Sequence, residues 1–368
     1  MKIKELINYL ESIVPTEWQE SWDNSGLQLG DPDNTVDSAL ICLDITEAVI
    51  REAEDKACGL IISHHPLIIK PLSSISRKTA TGRIIFKAVN KGISIYSMHT
   101  NLDIVKGGVS YHMAEMMKLK NVSVLSPLAS RLLKLVVFVP TSHAEKVRDA
   151  IFNAGAGFIG DYDRCSYNIS GEGTYRAGEG TDPYAGDTGK DHTEREIRIE
   201  TVMPEYARSK VLKAMIESHP YEEVAYDIYK IENTVPGAGL GCTGDLEHDM
   251  KDADFLSMLS DLFGAKGIRH TALKGKKINK VAVMGGSGGS YIREAIHSGA
   301  DAFVTADIKY HSFFEAGDVL LADIGHYESE KPALEILHEL ITKKFPKFAV
   351  RFSETNTNPV NYLQVWKK

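Results

Sequence analysis

Apolar positions in residues 38–99 alternate between short continuous runs and stretches with helical spacing. The runs SALICLDI, GLIISHH and ISIYSMH are typical of buried strands, and TEAVIREAEDKA and GRIIFKAVNKG between them have the period of amphipathic helices. Residues 1–15 show the same helical period with charges in between, which indicates a surface helix and not a signal peptide. This order predicts parallel strands joined by crossover helices.

The same rhythm returns near the C-terminus. KVAVMGG, AFVTADI and VLLADIGH are predicted strands, and SYIREAIHSGA and YHSFFEAG are predicted helices. The tetrapeptide IREA occurs at 50–53 and again at 292–295. Either the strand–helix–strand unit is duplicated about a pseudo-twofold axis, or two ordinary α/β units look alike. We predict an α/β fold with a duplicated, three-layer outer domain.

Residues 131–235 follow a different order. Strand and helix signals there run β-α-β-β-α-β, the pattern of a ferredoxin-like α+β domain. Residues 163–180 are predicted to form a hairpin of two strands. We therefore predict a discontinuous outer domain, 1–130 plus 236–368, interrupted by an inserted domain at 131–235.

Composition narrows the classes of function. The 368-residue chain has a net charge of −8 and no long basic run, so we expect no binding to nucleic acid. No apolar stretch is long enough to span a membrane. Four scattered cysteines without a CxxC pair predict reduced thiols and a cytoplasmic protein; they are Cys42, Cys58, Cys165 and Cys242.

Five residues that could bind metal follow predicted parallel strands, where open α/β sheets place their ligands: His64, His65, Asp103, His326 and Glu330. Adjacent histidines do not converge easily on one ion, but they can serve two neighbouring ions, a known hydrolytic arrangement. His326 and Glu330 share a face if a helix begins there. Each residue taken alone also has an ordinary structural explanation, such as a helix cap for Asp103.

The chain resembles the NIF-three-like family of dinuclear-metal proteins, which carries the label GTP cyclohydrolase I type 2 homologue. The motifs that support the resemblance are WDNSGLQLGD at 22–31, SHHP at 63–66, HTNLD at 99–103, GLGCTGDL at 239–246, GGSGGS at 285–290, TADIKYH at 305–311, GHYESE at 325–330 and ETNTNPV at 354–360. It implies two divalent metals bound by the same five residues, with Glu330 as the bridge, and a toroidal homohexamer. Cys242 stands where the family more often has Arg.

The inserted domain resembles the PII/CutA type through residues 157–176 and 219–229. That resemblance implies a bacterial member of the family and trimer contacts through the insert. A regulatory ligand on the insert is an analogy at this point.

Several further groups could act beside the metals. Asp307 follows a strand of the second repeat as His64 follows one of the first, and His311 lies a turn further on; either is a candidate proton shuttle. Additional pocket candidates are Lys309, His99, Thr100, Trp22, Asp23 and Asn24, with capping and packing the favoured roles for Asp23 and Asn24. The GGSGGS loop either cradles a phosphate or permits close packing of the backbone.

Two functions follow from these patterns. The first is a metal-dependent hydrolase of a nucleotide- or pterin-like small molecule. Its nitrogen and oxygen ligands suit zinc, with iron or manganese as alternatives. The second is a non-catalytic ring that handles metal or regulates a partner, with the insert as a sensor.

Overall fold

A computed structural model describes residues 1–129 and 131–363. The chain divides into two compact units, an outer unit of residues 1–126 and 237–368 and an inserted unit of residues 127–236. Each unit has its own apolar core.

The N-terminal part of the outer unit alternates strands with helices. Its strands are β1 (Gly26–Leu29), β2 (Ser38–Cys42), β3 (Leu60–Ser63), β4 (Ser94–Ser97) and β5 (Lys120–Pro127). Its helices are α1 (Ile3–Ile13), α2 (Glu47–Asp55), α3 (Ala80–Lys91), α4 (Thr100–Ile104) and α5 (Val109–Met116). The threonine side chains at the N-caps of α2 and α3 accept backbone hydrogen bonds, which explains where these helices begin.

The inserted unit has the predicted β-α-β-β-α-β order. Its elements are β6 (Leu132–Pro140), α6 (Ala144–Asn153), β7 (Ser166–Arg176), β8 (Asp191–Pro204), α7 (Arg208–Ser218) and β9 (Tyr226–Ile231). The strands pair antiparallel in the order β7-β8-β6-β9. The predicted hairpin within 163–180 is wrong, because β7 is one strand of 11 residues that pairs with β8. Gly171 and Gly173 lie inside this strand and make no turn.

The C-terminal part of the outer unit repeats the alternation. Its strands are β10 (Gly239–Lys251), β11 (Arg269–His270), β12 (Lys277–Val283), β13 (Ala302–Thr305), β14 (Leu320–Asp323) and β15 (Ala349–Phe352). Its α-helices are α8 (Asp252–Phe263), α9 (Ile292–His297), α10 (His326–Glu330) and α11 (Ala333–Lys344). The predicted helix YHSFFEAG is a 3-10 helix, Tyr310–Ala316.

The two sheets of the outer unit share one plan. In the first, β2, β3 and β4 run parallel, and β1 adds an antiparallel edge. In the second, β12, β13 and β14 run parallel, and β11 adds the antiparallel edge. The two IREA segments lie in corresponding helices, α2 and α9. This matching order supports the predicted duplication.

The main core lies between these two sheets. It joins apolar residues of both sheets to α1, α5, α8 and α11. Smaller apolar clusters cover the outer faces, one beneath α2 and α3 and the other beneath α9. Parallel strands covered on both faces read as continuous apolar runs, which is why the sequence pattern located them. In the described ranges, no helix has the length and apolarity that a membrane crossing requires.

Candidate metal centre

The structure brings the five predicted ligand residues together. His64 and His65 directly follow β3, Asp103 lies in the short helix α4 after β4, and His326 and Glu330 begin and end α10 after β14. The five residues therefore follow the carboxyl ends of parallel strands in both sheets. The one-turn helix α10 places His326 and Glu330 on the same face, as their spacing predicted.

Glu330 lies at the centre of this five-residue cluster. Its Oε2 atom is 2.8 Å from Nε2 of His65 and 2.8 Å from Nε2 of His326. Its Oε1 atom is 3.9 Å from Nε2 of His64, which in turn lies 3.8 Å from Oδ1 of Asp103. The carboxylate thus divides the cluster into two groups of possible ligands, one on each oxygen.

Buried atoms without partners show that the cluster fits a metal. His64 Nε2 and Asp103 Oδ1 are buried, and neither has a hydrogen-bond partner among the described residues. Burial and the neighbouring Glu330 carboxylate raise the pKa of Asp103. A bound cation would satisfy both orphaned atoms and offset the repulsion between the two carboxylates.

The opposite nitrogen of each of the three cluster histidines is held by a protein oxygen. His64 Nδ1 lies 2.8 Å from the Met98 carbonyl, His65 Nδ1 lies 2.7 Å from Asp44, and His326 Nδ1 lies 2.7 Å from Asp307. Such contacts make Nδ1 the donor and turn Nε2 towards the centre of the cluster, where a metal could bind it.

Burial alone would lower the pKa of both His65 and His326. Carboxylates on both nitrogens outweigh burial and raise the pKa to about 10 for His65 and about 9 for His326. The pKa of Glu330 is held below its ordinary value by the histidines around it, although burial opposes this. These contacts favour the protonated form of the His65 and His326 rings, and a metal bound at Nε2 would displace a proton from each.

His99 forms a further part of the cluster. One nitrogen of its ring lies within 4.8 Å of ring nitrogens of His64 and His65, so it belongs to a third group that could hold a metal. Its Nδ1 is 2.7 Å from Asp23, whose other oxygen accepts hydrogen bonds from the backbone and hydroxyl of Thr100. The Trp22 ring packs edge-on to His99 and is 58% exposed. Asp23 thus caps α4 and orients His99.

The glycine-rich loop after β12 packs closely against the cluster. A Cβ atom at Gly286 would overlap Glu330 Oε1, and one at Gly288 would overlap the Thr305 hydroxyl. The amides of Gly286 and Gly288 donate to the hydroxyls of Ser329 and Thr305. These contacts favour the packing role for GGSGGS over a phosphate cradle.

The remaining candidate residues differ in how they are placed relative to the five-residue cluster. Asp307 is half-exposed, and its Oδ2 atom accepts hydrogen bonds from Ser287 and His326. His311 is exposed and packs against the Tyr310 ring; in the described part of the chain no hydrogen bond joins it to the cluster. Lys309 is also exposed.

Two other positions belong to the surrounding structure. Asn24 donates to the Ile68 carbonyl at 2.6 Å, a packing contact like the one predicted for it. Cys242 is fully buried, and its thiol lies 3.2 Å from the Ser110 carbonyl.

Sequence reasoning missed the residues that support the histidines, chiefly Asp44. Asp44 follows β2 and accepts a hydrogen bond from Thr357, a residue of the ETNTNPV segment. Ser329, also missed, bridges the loop and α10 by donating to the His326 carbonyl. The usable signal for Asp44 was its place at the carboxyl end of a parallel strand, the rule that located His64 and His65.

Fold and site together define a class: a duplicated α/β protein with a buried histidine–carboxylate cluster that can hold metal. A family profile described as Duf34/NIF3 (NGG1p interacting factor 3) matches residues 1–359, and the chain belongs to this family. The family predicted from the sequence motifs is therefore confirmed.

Similar proteins support the same assignment along the whole chain. A relative from Bacillus subtilis named "GTP cyclohydrolase 1 type 2 homolog" is 38% identical over 371 residues, covering 98% of both chains. One of that name from Mycobacterium tuberculosis is 35% identical over 98% of this chain and 97% of its own. The crystal structure of a Bacillus cereus protein related to NIF3 superposes with a TM-score of 0.82 at 39% identity, covering 98% of this chain and 99% of that one.

Proposed function

We propose that this protein is a metal-dependent hydrolase of a nucleotide- or pterin-like small molecule, with a centre of two divalent metals. The observation that carries the proposal is the division of the cluster by Glu330. His65 and His326 converge on Oε2, while the orphaned His64 Nε2 and Asp103 Oδ1 lie on the side of Oε1. One carboxylate facing two ligand groups is the arrangement that a bridged metal pair needs. The name of the relatives supports hydrolysis of a purine- or pterin-like ring.

The residues of the cluster would form two sets of metal ligands. His64, Asp103 and Glu330 would hold one metal, and His65, His326 and Glu330 the other. Bound divalent metals supply Lewis acidity and lower the pKa of water. The protein oxygens on Nδ1 fix the tautomer and direction of each ring. The ligands are nitrogen and oxygen, which suits zinc, with iron or manganese as alternatives.

Asp307 would act mainly as a positioning residue. Its Oδ2 atom is engaged by Ser287 and His326, so its contacts fix the His326 ring. Its half-exposed side chain leaves Oδ1 able to exchange a proton with a substrate, as the proton-shuttle hypothesis requires. The same hypothesis for His311 stays a prediction.

The assembly belongs to the proposal as well. We infer a toroidal homohexamer, with trimer contacts through an insert of the PII/CutA type. The element order of the inserted unit supports that type.

A specific observation favours the second candidate, a metal-handling or regulatory ring. The amides of Gly286 and Gly288 beside the cluster already donate to protein hydroxyls, so these two amides are not available to bind a nucleotide phosphate.

The test is a turnover screen with GTP, other nucleotides, pterins and phosphoesters, combined with metal analysis. It compares metal-loaded protein, chelated protein and the Glu330→Gln variant. The hydrolase requires turnover that disappears in both controls. Two bound metals without turnover on any substrate would favour the metal-handling ring.

A further inference from the structure

The inserted unit has a cavity on the face of its sheet that the helices leave uncovered. Odd-numbered residues of β8, such as Ile199 and Met203, point into the core with α6 and α7. Even-numbered residues point the opposite way, because side chains alternate along a strand. Glu196 and Arg198 of β8 and Phe138 of β6 line a cavity of about 600 Å³ there, a volume that suits a small molecule.

A buried carboxylate forms part of this cavity. Glu196 is only 9% exposed, and its Oε1 atom accepts a hydrogen bond from the Tyr221 hydroxyl at 2.8 Å. A Cβ atom at Gly173 would overlap Oε2, so this glycine allows the carboxylate to lie flat against β7. In the described part of the chain, no cationic side chain forms an ion pair with Glu196. A buried carboxylate in this position favours a positively charged partner.

The surrounding lining is aromatic and acidic. Tyr221 contacts both Tyr175 and Tyr184, with ring centroids 6.0 and 5.9 Å apart. Arg198 shares this lining, and its guanidinium group pairs with Glu200 at 2.9 Å and lies over the Phe138 ring. The Asp, Glu, Lys and Arg side chains of the lining comprise four carboxylates against two guanidinium groups: Glu172, Glu196, Glu222, Glu223, Arg176 and Arg198.

We propose that this cavity binds a small organic cation, a protonated amine on an apolar or aromatic body. The ammonium group pairs with Glu196, and the tyrosine rings cover its body and add cation–π attraction. The site lies wholly in the inserted unit and does not depend on the function proposed for the metal cluster. It would give the insert a ligand of its own.

The first experiment is calorimetric titration of the full chain at pH 7 with a matched series of probes. Phenethylammonium is the cation, 2-phenylethanol is its neutral analogue, and phenylacetate is an anion of similar size. We expect the cation to bind at least about tenfold more tightly than the other two, because only it pairs with Glu196. No cation binding, or equal binding of all three, overturns the proposal.

Two variants then test whether the cation binds at Glu196. Glu196→Gln keeps the side-chain shape, removes the charge and should weaken cation binding at least about tenfold. Glu194→Gln is the matched control, since Glu194 lies on the same face of β8 but pairs with His192; it should bind nearly as well as wild type. Unchanged binding in Glu196→Gln overturns the proposal.

Two further measurements guard this result. Tyr184→Ala removes a ring that is 47% exposed, so it should fold normally and still lose affinity even if Glu196→Gln does not fold. Wild type treated with a chelator should bind the cation as before, because binding in the proposed cavity requires no metal. This control excludes coordination of the free amine to a metal in the cluster. Binding that disappears on chelation, or that survives Tyr184→Ala unchanged, would place the cation elsewhere and overturn the proposal.

Discussion

Asp44 and Asp307 support the candidate centre in the same way from the two halves of the outer unit. Each carboxylate lies 2.7 Å from Nδ1 of a histidine, and Nε2 of that histidine lies 2.8 Å from the same oxygen of Glu330. In each half, the carboxylate follows one parallel strand and the histidine follows the next. The two halves thus each supply an aspartate–histidine pair that converges on one glutamate. The pairs are offset by one strand in the duplicated plan, because Asp307 follows β13, the counterpart of β3, whereas Asp44 follows β2.

This relationship predicts the effect of Asp44→Asn. An amide can no longer fix the His65 tautomer as a carboxylate does, so metal affinity should fall about 10- to 100-fold. Competition with a chromophoric chelator measures that affinity. Asp33→Asn, a change at an exposed aspartate, is the control and should have no effect. Equal affinity in Asp44→Asn and wild type would show that Asp44 does not support a metal ligand.

Gly286→Ala should disrupt the cluster directly. Gly286 has φ +64°, and an added Cβ would overlap Glu330 Oε1. Gly299→Ala is a matched control, because Gly299 has φ +74° with open space around it and should cost only about 1–2 kcal/mol of backbone strain. Thermal unfolding and metal content of both variants separate the two effects. A full metal complement in Gly286→Ala would argue against a tight loop around Glu330.

The periodicity of the sequence located the parallel strands because both of their faces are buried. It also singled out His64 and His65, since polar residues stand out at the end of an apolar run, whereas Glu330 was singled out by its i, i+4 spacing from His326. Asp44 was missed because its partner His65 belongs to a different strand, and pairing across a sheet leaves no local signal.

The error at β7 has a different cause. Gly171 and Gly173 resemble turn residues in sequence, yet both lie in an extended strand opposite β8. The absence of a side chain at Gly173 makes room for Glu196, a residue 23 positions further along. Local sequence preferences do not reveal a glycine selected for such a distant neighbour.

Glu52 anchors the segment after β15, and the loss of stability caused by its substitution should depend on pH. Its carboxylate accepts hydrogen bonds from Ser353, Thr355 and the Glu354 amide and pairs with Lys56. Although burial opposes it, these contacts lower the pKa of Glu52 from 4.5 to about 2. A lowered pKa stabilises the folded state fully above 4.5, and the stabilisation is lost as the pH falls towards 2.

Thermal unfolding of wild type and Glu52→Gln tests this expectation. The wild type should be more stable at pH 7, and the difference should shrink between pH 4.5 and pH 2. Glu54→Gln, on the same helix but in an exposed pair with Lys91, should change stability by less than about 1 kcal/mol. A difference that stays constant down to pH 2 would mean that the charge of Glu52 does not hold the segment.

Asp103→Asn should change stability in opposite directions with and without metal. In metal-free protein, burial and Glu330 raise the pKa of Asp103 from 3.8 to about 8. The unfolded chain then loses the proton at a lower pH than the folded chain, so Asp103 destabilises the metal-free fold increasingly from pH 4 to pH 8.

The metal-free variant should therefore unfold at a higher temperature than metal-free wild type, with a larger gap at pH 8 than at pH 5. With metal bound the order should reverse, because the variant has lost a ligand and the stabilisation that metal binding gives. Calorimetric scans of chelated and metal-loaded samples measure both differences, and Asp33→Asn should leave them near zero. If the variant is less stable than wild type in both states, Asp103 stabilises the fold itself and its assignment as a metal ligand loses its main support.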